Sequence, residues 1–257
     1  MILVGLLSGG MDSATAFAKA LRDFSPEYSV TLTIIYGQTH KREIESAKAL
    51  AEYYNVPHLV IDLTNVYSVI KTSSLLNGNV PDASQLRAGL VPSTYVPQRN
   101  LVLISVAAAF LEKLLIERSD SHGIISVGFH RTDYSQDEPV YPDTRPEFVE
   151  PLEKAINEGS SVVFNARAQG REASIRIYAP FIKARKSDIV REAVKLGVPL
   201  ELTWTCYRGG TRPCGKCPAC ITRLRAFMEA GVPDPLTERY EYLPEWYKTW
   251  YEKSKGR

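Results

Sequence analysis

Apolar residues along this chain arrive in short blocks with two distinct periods. Residues 1–7, MILVGLL, are apolar except for one glycine and run into Gly9-Gly10, which predicts a strand buried on both faces. Residues 14–21 switch to helical spacing, with Phe17 and Leu21 facing a core. SVTLTIIY (29–36) is rich in β-branched residues and predicts a second strand. A helix over 42–54 puts Ile44, Ala47, Leu50 and Ala51 on one face, and HLVID (58–62) follows Pro57 as a third strand. Residues 63–98 read as a long loop with a short helix over 66–71. Beyond it come an apolar helix (100–118) and a strand (123–129). Residues 132–146 are polar, aromatic and proline-rich, hence a loop. Pro146 suits the first turn of a helix carrying Phe148, Leu152 and Ile156, with no clear end signal beyond Gly159. A strand (173–181) precedes a helix capped by Ser187 and closed by Gly197 and Pro199. A short helix spans 221–230, and the amphipathic aromatic tail LPEWYKTWYE packs on the body or on a partner subunit. Strands alternating with helices predict an α/β fold, doubly wound about a mainly parallel sheet.

The length, 257 residues, suits one large domain with a small appendage, divided here into 1–200 and 201–257. With 31 basic and 29 acidic residues the net charge is +2, which gives no basic footprint for direct nucleic-acid binding. No apolar run is long enough to span a bilayer, and the apolar start lacks a basic flank and a cleavage site. The expected location is cytoplasmic.

All four cysteines lie in TCYRGGTRPCGKCPAC, as Cys206, Cys214, Cys217 and Cys220. A secreted scaffold spreads its cysteines to staple distant loops, whereas four so close together read as one metal site. Four thiolates without a nearby histidine suit a closed, structural Zn²⁺ site. An iron–sulfur cluster or a redox CxxC uses the same residues.

The glycine pair belongs to Ser8-Gly9-Gly10-Met11-Asp12-Ser13, placed where the first strand meets the first helix. In an open parallel sheet that edge is where ligands bind. Glycines let the backbone approach an anion, and amides at a helix start favour negative charge. Ser8 and Ser13 add hydroxyl donors. No lysine follows as in the common phosphate loop. Asp12 would repel phosphates unless it held a helix end or a metal, and Mg²⁺ bridging phosphates removes that conflict. A tight turn with a Ser/Asp helix cap is the plainer alternative.

SGGMDS resembles the SGGxDS pyrophosphate loop of the N-type ATP pyrophosphatases, whose members cleave ATP to AMP and pyrophosphate. Further stretches resemble one branch, the 7-cyano-7-deazaguanine synthase (QueC) family. They are YGQTHKREIESAK (36–48), VPSTYVPQRN (91–100), TDYS…YPDTRPEF, PFIKARKSDI and the cysteine segment. The likeness runs in order over residues 1–225 and implies an adenine nucleotide alpha hydrolase-like fold with a small C-terminal zinc subdomain held by four cysteines. It further implies that 7-carboxy-7-deazaguanine is adenylated by ATP and aminated by ammonia. A second activation gives the nitrile, a precursor of queuosine and archaeosine. It also implies a homodimer.

The resemblance implies roles as well. Leu7, Ser8, Gly9, Gly10, Met11, Asp12 and Ser13 would hold ATP with Mg²⁺, and Ile35 and Tyr36 would border the adenine. Asp12, Lys186 and Arg99 are the catalytic candidates, although most surface lysines and arginines are merely solvated. Asp133, Tyr134, Tyr141, Asp143 and Arg145 are candidates for substrate. A carboxylate can accept the N–H donors of a guanine-like edge and a ring can stack on the base, so either Asp133 or Asp143 fits. His40 and His130 carry less weight.

Two features depart from the family pattern. Gln98 stands where the family usually has glycine, and YSQDEPVYPD carries about four residues more than the family's YSGYPD. Both flank the expected substrate pocket. A paralogue passing the activated carboxylate to another amine, for example one on a macromolecule, therefore stays open. A zinc-knuckle nucleic-acid or protein-binding module using Arg212, Lys216, Arg223 and Arg225 is the rival of a different class. A tRNA sulfur transferase would want an RNA-binding domain and a reactive cysteine outside the cluster.

Overall fold

Five strands lie parallel in the order β3-β2-β1-β4-β5. They are β1 (Ile2–Leu6), β2 (Tyr28–Ile35), β3 (His58–Asp62), β4 (His122–Ser126) and β5 (Ser174–Tyr178). The structure is a computed structural model that describes residues 1–38, 42–70 and 72–256. His40 and Lys71 lie outside the described residues.

Alternation along β1 sets the two faces. Ile2 and Val4 pack with Ile104, Leu111 and Leu115 of helix α5 (Arg99–Arg118). Leu3 turns to the other face, against Phe17 of helix α1 (Met11–Phe24). Phe17 is 1% exposed, and burial of a side chain of that size contributes about 2–3 kcal/mol. Helices α6 (Pro146–Gly159) and α7 (Ser161–Ala168) join α5 on the first face through Val149 and Val163. Helix α2 (Arg42–Tyr53), helix α8 (Lys186–Leu196) and helix α9 (Pro218–Ala230) share a second core with α1 through Leu50, Val190 and Phe227. Helices therefore cover both faces of an all-parallel sheet, as the strand pattern predicts.

Several boundaries differ from the sequence expectation, each for a local reason. Helix α1 starts at Met11, three residues before the apolar spacing begins, because Gly10 in an extended conformation serves as its N-cap. Ser187 is not the cap of α8. Arg185 holds that place, its amide donating to the Asp188 carboxylate at 3.0 Å, and Ser187 is buried in the first turn. Helix α7 has no counterpart in the sequence reading. Its first turn is fixed by Ser160 Oγ, which accepts from the Val163 amide, and by Glu112, whose Oε1 accepts from the Ser161 amide at 2.7 Å. The long segment after β3 holds two single-turn helices, α3 (Thr64–Tyr67) and α4 (Ser74–Asn77), so the short helix expected over 66–71 begins earlier.

The cysteine segment shares a core with the segment after β3. Val80 and Val96 pack there with Trp204, the four cysteines and Leu224. Helix α10 (Glu245–Ser254) closes this core on the body of its own chain. Tyr247 is fully buried, and its hydroxyl accepts from the Asp234 amide at 2.9 Å. No helix among the described residues is long and apolar enough to cross a membrane.

Candidate active site

In a parallel α/β sheet the first turns of the crossover helices gather at the carboxyl ends of the strands. That rule brings together three residues far apart in sequence. Asp12 lies in the first turn of α1, Arg99 opens α5 and Lys186 opens α8. All three line one cavity of about 420 Å³, which opens where β1 parts from β4 and the strand order reverses.

The loop between β1 and α1 forms one wall. Gly9 adopts φ +81°, and a side chain there would put its Cβ 2.1 Å from the Glu43 carbonyl oxygen of α2. Only glycine lets the loop lie that close to the neighbouring helix. Ser13 Oγ donates to the Gly10 carbonyl at 3.1 Å and lies 3.0 Å from Ser8 Oγ, while the Gly10 amide donates to Ser8 Oγ at 3.3 Å. No side chain caps α1, whose first turn borders the cavity, and an uncapped helix start favours negative charge. From the opposite side Gly128, just past β4, meets the same turn. A Cβ there would fall 2.6 Å from the Ser13 amide nitrogen.

Across from the loop, Lys186 Nζ donates to Asp12 Oδ2 at 2.8 Å. His130 Nε2 lies 3.7 Å from that oxygen, 3.4 Å from Asp133 Oδ1 and 3.5 Å from Lys186 Nζ. Burial alone would push the Asp12 carboxyl up, but Lys186 and His130 outweigh it and hold it well below the usual carboxylate range. Asp133 goes the other way: burial and the nearby Asp12 charge raise it despite His130 and Lys186. Two carboxylates in one cluster are thereby driven apart in acidity, a frequent property of working sites. Asp12 Oδ1 is buried without a hydrogen-bond partner. That orphaned acceptor beside an anion site fits a cation such as Mg²⁺.

Arg99 crosses the ring of Tyr36 with its guanidinium carbon 5.4 Å from the centroid and donates to the Tyr36 hydroxyl at 3.3 Å. Burial opposes the charge on Arg99, but Tyr36, Asp143 and Tyr207 more than offset it, so it stays cationic.

The structure brings many of the expected residues to the cavity wall. Leu7, Ser8, Gly10, Asp12, Ser13 and Tyr36 line it, as do Asp133, Tyr141, Lys186 and Arg99. Others stand elsewhere. Gly9 sits behind the loop against α2, and Met11 is buried in the core shared by α1, α2 and α8. Ile35 is not among the lining residues; strand alternation turns Ile34 to the cavity instead. Asp143 is buried as the cap of α5, its Oδ2 accepting from the Asn100 amide at 3.1 Å. Of the two candidate aspartates, only Asp133 faces the cavity. Tyr134 donates its hydroxyl to the Ile182 carbonyl outside the cavity. Arg145 is exposed and donates to the Pro142 carbonyl.

Sequence reasoning passed over Gly128, Thr132, Trp204 and Thr205. Gly128 carried a readable signal, a glycine directly after an apolar strand. Thr132 Oγ1 accepts from the Lys186 amide at 3.1 Å and so fixes the start of α8. Trp204 donates its amide to the Gly9 carbonyl at 2.8 Å, tying the core of the four cysteines to the loop between β1 and α1. Thr205 lines the cavity and accepts from Arg223 at 3.1 Å.

The four cysteine sulfurs lie within 4.8 Å of one another and all four residues are buried. Cys214 Sγ accepts from the amides of Lys216 (3.4 Å) and Cys217 (3.3 Å), the pattern that stabilises a thiolate. Cys214 Sγ and Cys220 Sγ are 4.0 Å apart, close to the ~3.8 Å edge of a tetrahedron with 2.3 Å bonds. No cysteine is in a disulfide, so the group can hold a metal ion. Of the four cations near it only Arg223 is buried; Arg212, Lys216 and Arg225 are exposed, and each has a partner within the chain. Arg223 is 1% exposed and paired with Asp234 at 2.8 Å, and Arg212 donates to the carbonyls of Arg239 and Tyr240. Arg225 pairs with Glu138, and Lys216 lies over the Tyr242 ring.

Residues 2–231 match the sequence profile of the family described as "Queuosine biosynthesis protein QueC". The chain is 39% identical over 254 residues to the 7-cyano-7-deazaguanine synthase of Thermoplasma acidophilum, covering 98% of this chain and 97% of that one. It is 41% identical over 256 residues to the protein of the same name from Picrophilus torridus, covering 98% and 96%. Among solved structures, NMN synthetase from Francisella tularensis aligns at 14% identity and a TM-score of 0.44, over 99% of this chain and 85% of that one.

Proposed function

The chain belongs to the QueC family, and on that premise we propose that it is a 7-cyano-7-deazaguanine synthase using ATP, ammonia and 7-carboxy-7-deazaguanine. One observation carries the reading. The anion-binding start of α1, the Lys186–Asp12 pair and the base-reading candidate Asp133 share a single cavity.

A carboxylate resists amination at neutral pH because oxide is a poor leaving group. Transfer of AMP to the carboxylate provides a better one and releases pyrophosphate. Ammonia then displaces AMP to give the amide, and a second activation at the amide oxygen lets AMP depart with formation of the nitrile. The chain's share of this work is charge and position. The first-turn amides of α1, with Ser8 and Ser13, hold the phosphates. Lys186 neutralises charge that develops on them, and Asp12 fixes the lysine. Arg99 offers a second cation beside Tyr36. Asp133, whose carboxyl burial has raised, gains its ionised form when a deazaguanine edge donates two N–H bonds to it.

Mg²⁺, held through Asp12 Oδ1, would supply charge neutralisation between the phosphates. The four cysteines would hold zinc in a closed set of four sulfurs, which serves structure and leaves no open position for chemistry. Apolar residues exposed on edge strand β3 (Leu59, Val60), on helix α3 (Val66) and just after it (Val69) support a homodimer, which light scattering tests.

Incubation with ATP, Mg²⁺, ammonium and 7-carboxy-7-deazaguanine, read by mass spectrometry, tests the reaction. Nitrile is the expected product. Amide without nitrile would favour the paralogue, and absence of AMP would overturn the reading.

A further inference from the structure

In the segment after Ser135, Gln136 and Asp137 are exposed while Glu138 and Pro139 are half-buried. Asp137, Glu138 and Pro139 line the rim of the cavity. They are tied down on two sides. The Gly89 amide donates to the Glu138 carbonyl at 2.9 Å, and the Val140 amide donates to the Leu90 carbonyl at 2.9 Å, so the segment runs beside 88–90. On the other side the Glu138 carboxylate pairs with Arg225 of α9, itself a lining residue. Three separate parts of the chain thus meet at the rim, joined across it by one ion pair that is 23% and 45% exposed.

Resting on the synthase reading, we propose that segment 136–139, latched by Glu138–Arg225, selects the nucleophile that reaches the activated carboxylate. The activated acyl group is open to any nucleophile that arrives. With water, the bond from acyl carbon to the AMP oxygen breaks, the carboxylate is regenerated and a proton is released. With an amine the same bond breaks, a C–N bond forms and the nitrogen loses a proton. A narrowed rim admits ammonia, slows exchange with bulk water and bars amines carrying a bulky group. The segment thereby makes the site selective for a small nitrogen donor.

The test compares the full-length protein with Glu138→Ala, Arg225→Ala and the exchanged pair Glu138→Arg/Arg225→Glu. AMP released per nitrile formed and the yield of N-benzyl amide from added benzylamine are both ratios, independent of overall rate. Each single variant should raise the AMP released in excess of the two per nitrile that the reaction requires, and the benzyl amide yield, by about threefold or more, the shift expected on losing one exposed ion pair, and the exchanged pair should fall back toward the parent. Ratios unchanged in both single variants would overturn the latch while leaving the synthase reading intact. If the parent releases no AMP with the deazaguanine carboxylate, the synthase reading fails and the latch falls with it.

Discussion

Lys186 Nζ and Asp12 Oδ2 are 2.8 Å apart although 174 residues separate them in the chain. The contact joins the first turns of two helices that follow different strands, so it exists only once the sheet is assembled. With side chains 11% and 21% exposed, the pair is desolvated enough for its loss to matter.

Lys186→Met leaves the Asp12 charge without its main partner. The variant should lose about 1–3 kcal/mol of stability in urea titrations and about 10²-fold or more in adenylation rate. Adding Asp12→Asn should restore much of the stability but not the rate, which separates structural from catalytic loss.

Acid should expose the same pair. The Asp12 carboxyl is depressed in the folded state, so the folded protein holds this proton less readily than the unfolded chain. Its contribution is complete above the ordinary value of 3.8 and is lost as pH falls below it. Urea midpoints measured from pH 5 downward should drop less steeply in Asp12→Asn than in the parent.

Asp133 carries the opposite sign. Its carboxyl is raised on folding, so its contribution is present at low pH and lost as pH rises through the folded value. Asp133→Asn should therefore be as stable as the parent at pH 7 or more so, while binding of the deazaguanine carboxylate by calorimetry weakens about tenfold or more.

Gln98 adopts φ +53° at the N-cap of α5, a left-handed conformation that costs a non-glycine residue about 1–2 kcal/mol. Glycine fits that backbone conformation without steric cost. Gln98→Gly should gain about 0.5 kcal/mol after its own entropy cost, and Gln98→Val should lose about 1–2 kcal/mol. Thermal unfolding of both variants reads the difference.

Chelation or Cys217→Ser should remove one metal ion per chain by elemental analysis and lower the melting temperature by roughly 5 °C or more. Zinc leaves the protein colourless, whereas an iron–sulfur cluster would absorb in the visible. Affinity for ATP should weaken in parallel, because Trp204, whose amide holds Gly9, packs in the core of the four cysteines.

Much of this was legible in the chain because the signals were local. The apolar run of β1, the Gly9-Gly10 turn and the cysteine spacing each depend on neighbours within a few residues. What was missed depends on distant partners. Helix α7 is started by Glu112, far upstream, and Asp143 looked equal to Asp133 until α5 claimed it as a cap. Ile35 lost its place to Ile34 because strand pleating decides the face, and a sequence locates the strand end only to within a residue or two. The roles assigned to Asp12, Lys186 and Arg99 came from resemblance, and their shared cavity wall gives those assignments a geometry to test.

The bond between Trp204 and Gly9 also sets a timetable. On a ribosome the loop between β1 and α1 emerges roughly 195 residues before the amide that restrains it, about 10–40 s at ordinary elongation rates. During that interval the nascent chain carries its most diagnostic motif in an untethered form. Nucleotide capture should accordingly switch on late in synthesis, after the tryptophan has cleared the exit tunnel.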